Sequence, residues 1–333
     1  MTDYGAFAAG PLFGLPLPEL WFALVFAILG TFLFLDGFDF GAGALFATRE
    51  DDEERETILA AIGPFWDGNE VWLVVFGGAL FAAFPAVYAN LFSRNYLLLF
   101  GVLAALILRG LAPEMYEQRH DAAWQRWWGR SFVVGSVLTP FLLGVFTANW
   151  LTGSGALLTP VGVAVGSTLV ALTVVSGAAF LRVKTAGSLR EGVRRAGERA
   201  LVAYLGLVVV TLGLLSLSTP RLAAAVTAPA VLALVATSVG LGVGYVAALR
   251  TDRDLLALVA SGLLTYGLVA VVAFLLFPLV DPGTGLSVSE AIVAPLALNI
   301  MSVASAFLLP LVVTYFVVLY SAFSGPVRPT ESY

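Results

Sequence analysis

The sequence alternates between long uncharged apolar runs and short charged connections. The uncharged runs cover residues 20–35, 71–93, 95–108, 131–181, 200–220, 222–249, 255–280 and 291–327. About 20 apolar residues cross a hydrocarbon core of about 30 Å as a helix, which satisfies every backbone polar group internally. With 59% hydrophobic and 12% charged residues, the chain is predicted to be an all-α, polytopic membrane protein. Residues 1–333 are expected to form a single integral membrane domain.

The number of spans and their orientation follow from two patterns. The run 131–181 is about twice the length of one span, and turn-forming residues at 152–155 and 159–160 divide it. The chain then has nine predicted transmembrane helices. On one side of these helices lie 14 of the 17 basic residues, in the connections 49–69, 114–130, 182–199 and 250–254 and the tail after 321. Basic connections favour the cytoplasm, so the N-terminus is predicted outside and the C-terminus in the cytoplasm.

Residues that could bind iron are scarce. The sequence has no cysteine and one histidine, His120, which lies in a charged connection. Of three methionines, Met301 alone lies well inside an apolar run. Haem iron usually takes His or Met from helix interiors, so no haem or other metal is predicted in this chain. The basic residues are spread over several loops, which argues against a nucleic acid partner. Segment 182–199 is predicted to be a short basic amphipathic helix facing anionic lipid.

The first apolar run continues into two carboxylates. Asp36 and Asp39 are three residues apart and therefore share one face of the first helix. Gly37 and Gly41 have a GxxxG spacing, and Gly43 extends it, so another helix is predicted to approach closely here. Ionisable groups within or beside hydrocarbon are costly and are functional candidates. The alternative is that both aspartates form the polar inner end of the helix.

Arg109 is predicted to lie at the depth of these aspartates. At about 1.5 Å per residue, Asp36 and Asp39 lie about 24 and 28 Å along the helix from Leu20. The third helix runs in the same direction from Asn95, which places Arg109 about 21 Å along it. An arginine within a span usually pairs with an acid or faces the bundle interior. The alternative is that its side chain snorkels to the inner headgroups.

Three further acids map to the same inner layer. Asp67 and Glu70 begin the second helix, where Asp67 or Asn69 would also make a good N-cap. Glu114 follows Arg109 on the third helix. The candidate proton-handling residues are therefore Asp36, Asp39, Asp67, Glu70, Arg109 and Glu114.

Four segments closely resemble a known family. Residues 36–46 (DGFDFGAGALF), 62–89 (IGPFWDGNEVWLVVFGGALFAAFPAVYA) and 106–110 (LILRG) are similar to subunit II of the cytochrome bd quinol oxidases. Residues 307–325 are similar to the last helix of that family. The resemblance implies two four-helix bundles plus one peripheral helix, multi-pass in the cytoplasmic membrane.

The resemblance also implies a function. The chain would pair with subunit I, which carries haem b and haem d, in a complex that oxidises quinol and reduces O₂ with cytoplasmic protons. Asp39, Asp67 and Arg109 match positions in or near the family's proton route at the subunit interface. Residues 108–119 depart from the family pattern after the arginine, which weakens the assignment of Glu114. A structural quinone in this chain and a small single-helix subunit stay open.

Two other interpretations stay open at this stage. A secondary transporter would use the acids to couple proton or cation flow to a solute, and discontinuous helices at the midplane would favour it. The acids here lie towards the inner side, and the middle helices offer little polar lining. A purely structural scaffold for subunit I differs from the oxidase interpretation in whether the carboxylates move protons.

Overall fold

The computed structural model describes residues 10–327, which are almost entirely helical. After a 3-10 turn at Leu12–Gly14, the helices are α1 (Leu17–Phe46), α2 (Asp52–Ile62), α3 (Trp66–Ala83), α4 (Pro85–Arg94), α5 (Tyr96–Glu117), α6 (Ala122–Thr152), α7 (Pro160–Lys184), α8 (Gly187–Ser218), α9 (Pro220–Val226), α10 (Pro229–Arg250), α11 (Asp254–Leu276), α12 (Val288–Ala291) and α13 (Pro295–Ala322). A two-stranded antiparallel hairpin, β1 (Leu279–Asp281) and β2 (Leu286–Ser287), precedes α12.

Eight helices in the described range are long and apolar enough to cross a membrane: α1, α5, α6, α7, α8, α10, α11 and α13. The prediction of a polytopic helical protein is confirmed. The run 71–93, predicted as one further span, is divided at Phe84 into α3 and α4. Pro85 has no N–H to continue the first helix but suits the first turn of the next.

The predicted break within 131–181 is present. Helix α6 ends at Thr152, and Gly153 follows it in the left-handed conformation with φ 69°. A side chain at this position would be strained, which glycine avoids. Thr159 then caps α7 by accepting a hydrogen bond from the Gly162 N–H, and Pro160 occupies the first turn. Turn chemistry therefore separates these two helices.

The prediction of a short separate helix over 182–199 is wrong. Residues 187–199 are the first turns of α8, which continues without a break to Ser218. This polar end makes ion pairs within the chain. Arg190 lies 2.6 Å from Asp254, and Arg194 pairs with Glu198 one turn further on. No proline interrupts the helix between these residues and the apolar run, so it continues.

The connection 281–290, between the last two apolar runs, contains most of the hairpin and α12. Buried Asp281 accepts hydrogen bonds from both terminal guanidinium nitrogens of Arg94, at 3.2 and 3.4 Å. These bonds connect the hairpin to the end of α4. Ser287 caps α12, and its hydrogen bonds hold the pKa of Glu290 below its ordinary value.

The long helices pack in two groups of four around α1 and α7. Helices α1, α3, α5 and α6 form one group, and α7, α8, α10 and α11 form the other. The groups meet where α1 and α6 pack on α7. Helix α13 lies at the periphery, and none of its most apolar stretch is buried. It is fixed at individual points, such as the 2.9 Å hydrogen bond from Trp21 to Ser302.

Candidate functional site

Arg109 is the centre of a buried ionic cluster formed by α1, α3 and α5. Its side chain is 1% exposed. One terminal nitrogen, Nη2, lies 2.5 Å from Asp36 Oδ1 and 3.7 Å from Asp39 Oδ2. The other, Nη1, lies 2.8 Å from Glu70 Oε2. The structure therefore brings together four of the six predicted residues.

Small residues next to the aspartates on α1 bring a neighbouring helix into close contact. A Cβ placed on Gly41 would lie 1.8 Å from the backbone oxygen of Thr173 on α7. The predicted close helix contact is thus present, and it lies within this chain. The aspartates are on another face of α1, where Arg109 of α5 and Asn69 of α3 contact them, and their side chains are 0% exposed.

A second glycine directs Arg109 towards the acids. A Cβ on Gly135 of α6 would lie 2.6 Å from the Arg109 backbone nitrogen, so α5 and α6 are in direct contact at this level. The guanidinium carbon also lies 4.8 Å from the ring centre of Phe40 and 5.5 Å from that of Trp66. Aromatic faces attract cations electrostatically, and this attraction strengthens when water is excluded. Arg109 therefore pairs with buried acids, and its side chain does not snorkel to the headgroups.

Asn69 belongs to the site, although its type and position predicted only a helix cap. It is 0% exposed, and its Nδ2 donates to Asp39 Oδ2 at 2.8 Å and to the Leu35 carbonyl at 3.3 Å. Tyr320 of α13 donates to Asn69 Oδ1 at 2.8 Å. Phe65 occupies the N-cap position of α3, so neither Asp67 nor Asn69 caps it. In the sequence, the signal that Asn69 belongs to the site was its position next to Glu70.

Asp67 and Glu114 lie outside the cluster. Both are exposed, and neither has an ion pair within residues 10–327. Asp67 is one turn before Glu70, whose own side chain is 31% exposed, so Asp67 extends from the open edge of the cluster. Glu114 is five residues beyond Arg109 and is rotated by about 140°. Both share the depth of the cluster but not its buried interior.

A second ionic cluster joins the end of α7 to the beginnings of α8 and α11. The side chain of Arg182 is 0% exposed and lies 2.6 Å from Asp254 and 2.7 Å from Asp252. Arg190 pairs with the same two acids. Asp252 is 65% exposed, so this cluster is open to the surface. It fastens helix ends together.

Residues suited to binding haem iron are missing from the part of the chain that the structure describes. No group of three His, Cys, Asp or Glu residues there could hold a metal ion. His120 is exposed in the connection between α5 and α6, and Met301 is half-buried on peripheral α13. These residues do not fit a haem.

The fold and the site define a class: a polytopic helical membrane protein in which two buried aspartates and a half-buried glutamate surround one arginine. The family model for "Cytochrome bd terminal oxidase subunit II" matches residues 17–323. The chain belongs to this family. It is a subunit of a respiratory terminal oxidase and takes part in a quinol oxidase complex, which decides against the secondary transporter.

Individual relatives agree with the family assignment. The chain is 29% identical to cytochrome bd-I ubiquinol oxidase subunit 2 of Escherichia coli K12, over 89% of this chain and 91% of the relative. It is 34% identical to cytochrome bd ubiquinol oxidase subunit 2 of Bacillus subtilis, over 56% of this chain and 59% of the relative. Its fold is similar to a chain of the bd oxidase from Geobacillus thermodenitrificans, with a TM-score of 0.75, 17% identity and coverage of 93% and 99% of the two chains.

Proposed function

We propose that this chain carries protons from the cytoplasm towards the oxygen-reducing haem of its partner subunit. The inner part of this route consists of Asp36, Asp39 and Arg109, which are buried, and Glu70, whose side chain is 31% exposed. Asp67 and Glu114 are exposed at the same depth and collect protons for it. Charged groups are rarely kept within a membrane protein unless they line a substrate or ion pathway.

The observation that carries the proposal is three carboxylates around one guanidinium. Within residues 10–327, Arg109 is the cation paired with Asp36, Asp39 and Glu70. If all three acids were ionised, the negative charges would outnumber the positive charge in a largely buried site. An uncompensated buried charge is very costly, so the cluster favours holding protons on some of its carboxyl groups.

The geometry divides the roles among the acids. Arg109 is closest to Asp36 and Glu70, so its positive charge stabilises the ionised forms of these two carboxylates most strongly. Asp39 is further from the cation and accepts a hydrogen bond from the neutral amide of Asn69. A relay needs a group that gains and loses protons readily. We therefore assign the exchangeable proton to Asp39, with Arg109 keeping Asp36 ionised.

The topology that supports this route has nine spans. Eight are the long apolar helices, and α3 with its extension α4 is the ninth, crossing in two segments. With the basic connections inside, the N-terminus lies outside and the C-terminus in the cytoplasm. Residues 1–333 form one integral domain in the cytoplasmic membrane, although residues 1–9 and 328–333 lie outside the described range. This orientation opens the Arg109 cluster towards the proton source.

The complex supplies the redox chemistry. Subunit I would carry haem b and haem d, and quinol would be its substrate, as the names of the Escherichia and Bacillus relatives suggest. A small single-helix subunit would complete the complex by packing against an apolar face such as that of α13. A structural quinone would fit the apolar cavity of about 540 Å³ lined by Phe76, Phe92, Leu103, Phe146 and Trp150.

The test is Asp39→Asn in the assembled complex, which keeps the side-chain shape but removes the titrating group. We expect normal haem content with loss of quinol-driven O₂ consumption. Asp67→Asn should lower turnover as well. Glu53→Gln, which removes an exposed acid of α2 that makes no ion pair with the cluster, should leave turnover unchanged. Normal turnover and proton uptake in both Asn variants would leave the scaffold interpretation standing.

A further inference from the structure

Two hydroxyl groups of α6 are buried without a hydrogen-bond partner among residues 10–327. They are Ser136 Oγ and Thr139 Oγ1, in residues that are 1% and 0% exposed. Buried serine and threonine in helices commonly donate to the carbonyl four residues earlier. Thr147 of the same helix does so, donating to the Leu143 carbonyl at 2.9 Å. Buried polar groups are nearly always satisfied, by water where protein groups do not reach them.

Two contacts fix the alignment of α6 with α1. Phe26, early in α1, stacks on Trp150, late in α6, with 5.3 Å between ring centres. Further along α1, a Cβ on Gly43 would lie 2.0 Å from Ser136 Oγ. The two helices are therefore antiparallel, and Ser136 lies directly against α1 at Gly43.

This alignment places Thr139 at the level of Asp39. Asp39 is one helical turn before Gly43 on α1, and Thr139 is about one turn after Ser136 on α6. In an antiparallel pair these two steps lead in the same direction. Asp39 Oδ1 is itself buried without a partner among the described residues, whereas Oδ2 is held by Asn69. Three buried oxygens in need of partners thus lie along one helix contact.

The contact is closed to other occupants. The exposures of 0% for Thr139 and 1% for Ser136 mean that neither lipid nor another subunit reaches them. Towards the inner end, Phe46 of α1 and Phe132 of α6 meet with 5.6 Å between ring centres. A molecule that satisfies these oxygens must be small and must both donate and accept hydrogen bonds.

We propose that ordered water lies between α1 and α6, bridges Asp39 Oδ1 to the hydroxyls of Thr139 and Ser136, and exchanges protons with Asp39. The inference rests on the proposed role of Asp39 in proton transfer. Water accepts from a hydroxyl and donates to a carboxylate, and it accepts from Asp39 when that carboxyl is protonated. In the transfer, the Oδ1–H bond breaks as an O–H bond to water forms, and no other bond changes.

The experiment replaces Thr139 by valine in the assembled complex, which keeps the shape and removes the hydroxyl. Proton transfer through positioned groups is worth a factor of about 10² or more, so we expect quinol-driven O₂ consumption to fall by at least about tenfold. Haem content should be unchanged, and the solvent deuterium isotope effect should increase because proton transfer becomes slower. Thr152→Val on the same helix is the matched control, since its hydroxyl donates to the Ala148 carbonyl at 2.8 Å, and it should change neither quantity.

The outcomes separate this inference from the proposed function. If Thr139→Val and the double variant Ser136→Ala/Thr139→Val keep normal turnover and isotope effect while Asp39→Asn loses turnover, the water site is wrong and the proton route stands. If Asp39→Asn also keeps turnover, both fail. A density map of the unmodified complex that resolves waters tests the site without any substitution. We expect a water peak within hydrogen-bond distance of Thr139 Oγ1 and Asp39 Oδ1, and its absence overturns the inference.

Discussion

Arg109 Nη2 and Asp36 Oδ1 lie 2.5 Å apart, in side chains that are 1% and 0% exposed. This ion pair joins the third apolar run of the sequence to the first. Each partner compensates the charge of the other where water does not reach. Loss of either partner therefore leaves a buried charge uncompensated, which costs far more than an exposed pair contributes.

Arg109→Leu is expected to prevent normal assembly. The substitution leaves Asp36, Asp39 and Glu70 without a cation, and breaking a buried ion pair in this way costs about 3–5 kcal/mol. The amount of haem-containing complex recovered from membranes measures the effect. Arg109→Lys keeps the charge but loses the fork that spans Asp36 and Glu70, so its yield should be intermediate. A normal yield with Arg109→Leu would contradict a structural need for the ion pair.

Tyr320→Phe is expected to lower turnover moderately through Asn69. The hydroxyl is 2.8 Å from Asn69 Oδ1, and its loss costs about 0.5–1.5 kcal/mol. Asn69→Ala should have a larger effect, because Asp39 Oδ2 also loses its donor. Tyr315→Phe on the same helix is the control, since that ring is 58% exposed. Equal turnover in the Tyr320 and Tyr315 variants would show that the α13 contact does not influence Asp39.

Gly41→Ala is expected to destabilise the subunit by separating α1 from α7. The new methyl would lie 1.8 Å from the Thr173 carbonyl oxygen, and backbone atoms cannot move aside as a side chain can. Overpacking of this kind typically costs about 1–3 kcal/mol. Thermal stability of the purified complex gives the measurement. Gly206→Ala on α8 is the control, because nothing lies within 4 Å of its added Cβ, and an equal change in both variants would refute close packing as the cause.

Much of the fold was predictable because local chemistry determines it. The glycine and proline at the two ends of 152–160 divide one long apolar run into α6 and α7, as predicted. Helix depth was also predictable, since rise per residue is constant, and it correctly placed Arg109 beside Asp36. The orientation of a side chain around its helix was not, because it depends on where neighbouring helices pack. Asp67 therefore shares the depth of the cluster but not its interior.

The hydrogen bond that the last helix makes to the site could not be predicted from local sequence. Tyr320 and Asn69 are 251 residues apart in the sequence, and their hydrogen bond depends on where peripheral α13 docks. Neither residue titrates near neutral pH, so a search for ionisable candidates passes over both. The long α8 was missed for a related reason. Its basic first turns are held by Asp254, more than fifty residues away.

Infrared difference spectroscopy of the complex tests the central claim most directly, because a protonated carboxyl has a C=O stretching band of its own. The account predicts that reduction and reoxidation with O₂ change a protonated-carboxyl band in the unmodified complex, and that Asp39→Asn removes this change while the haem signals stay normal. The same carboxyl band change in Asp39→Asn as in the unmodified complex would show that Asp39 does not exchange protons during turnover.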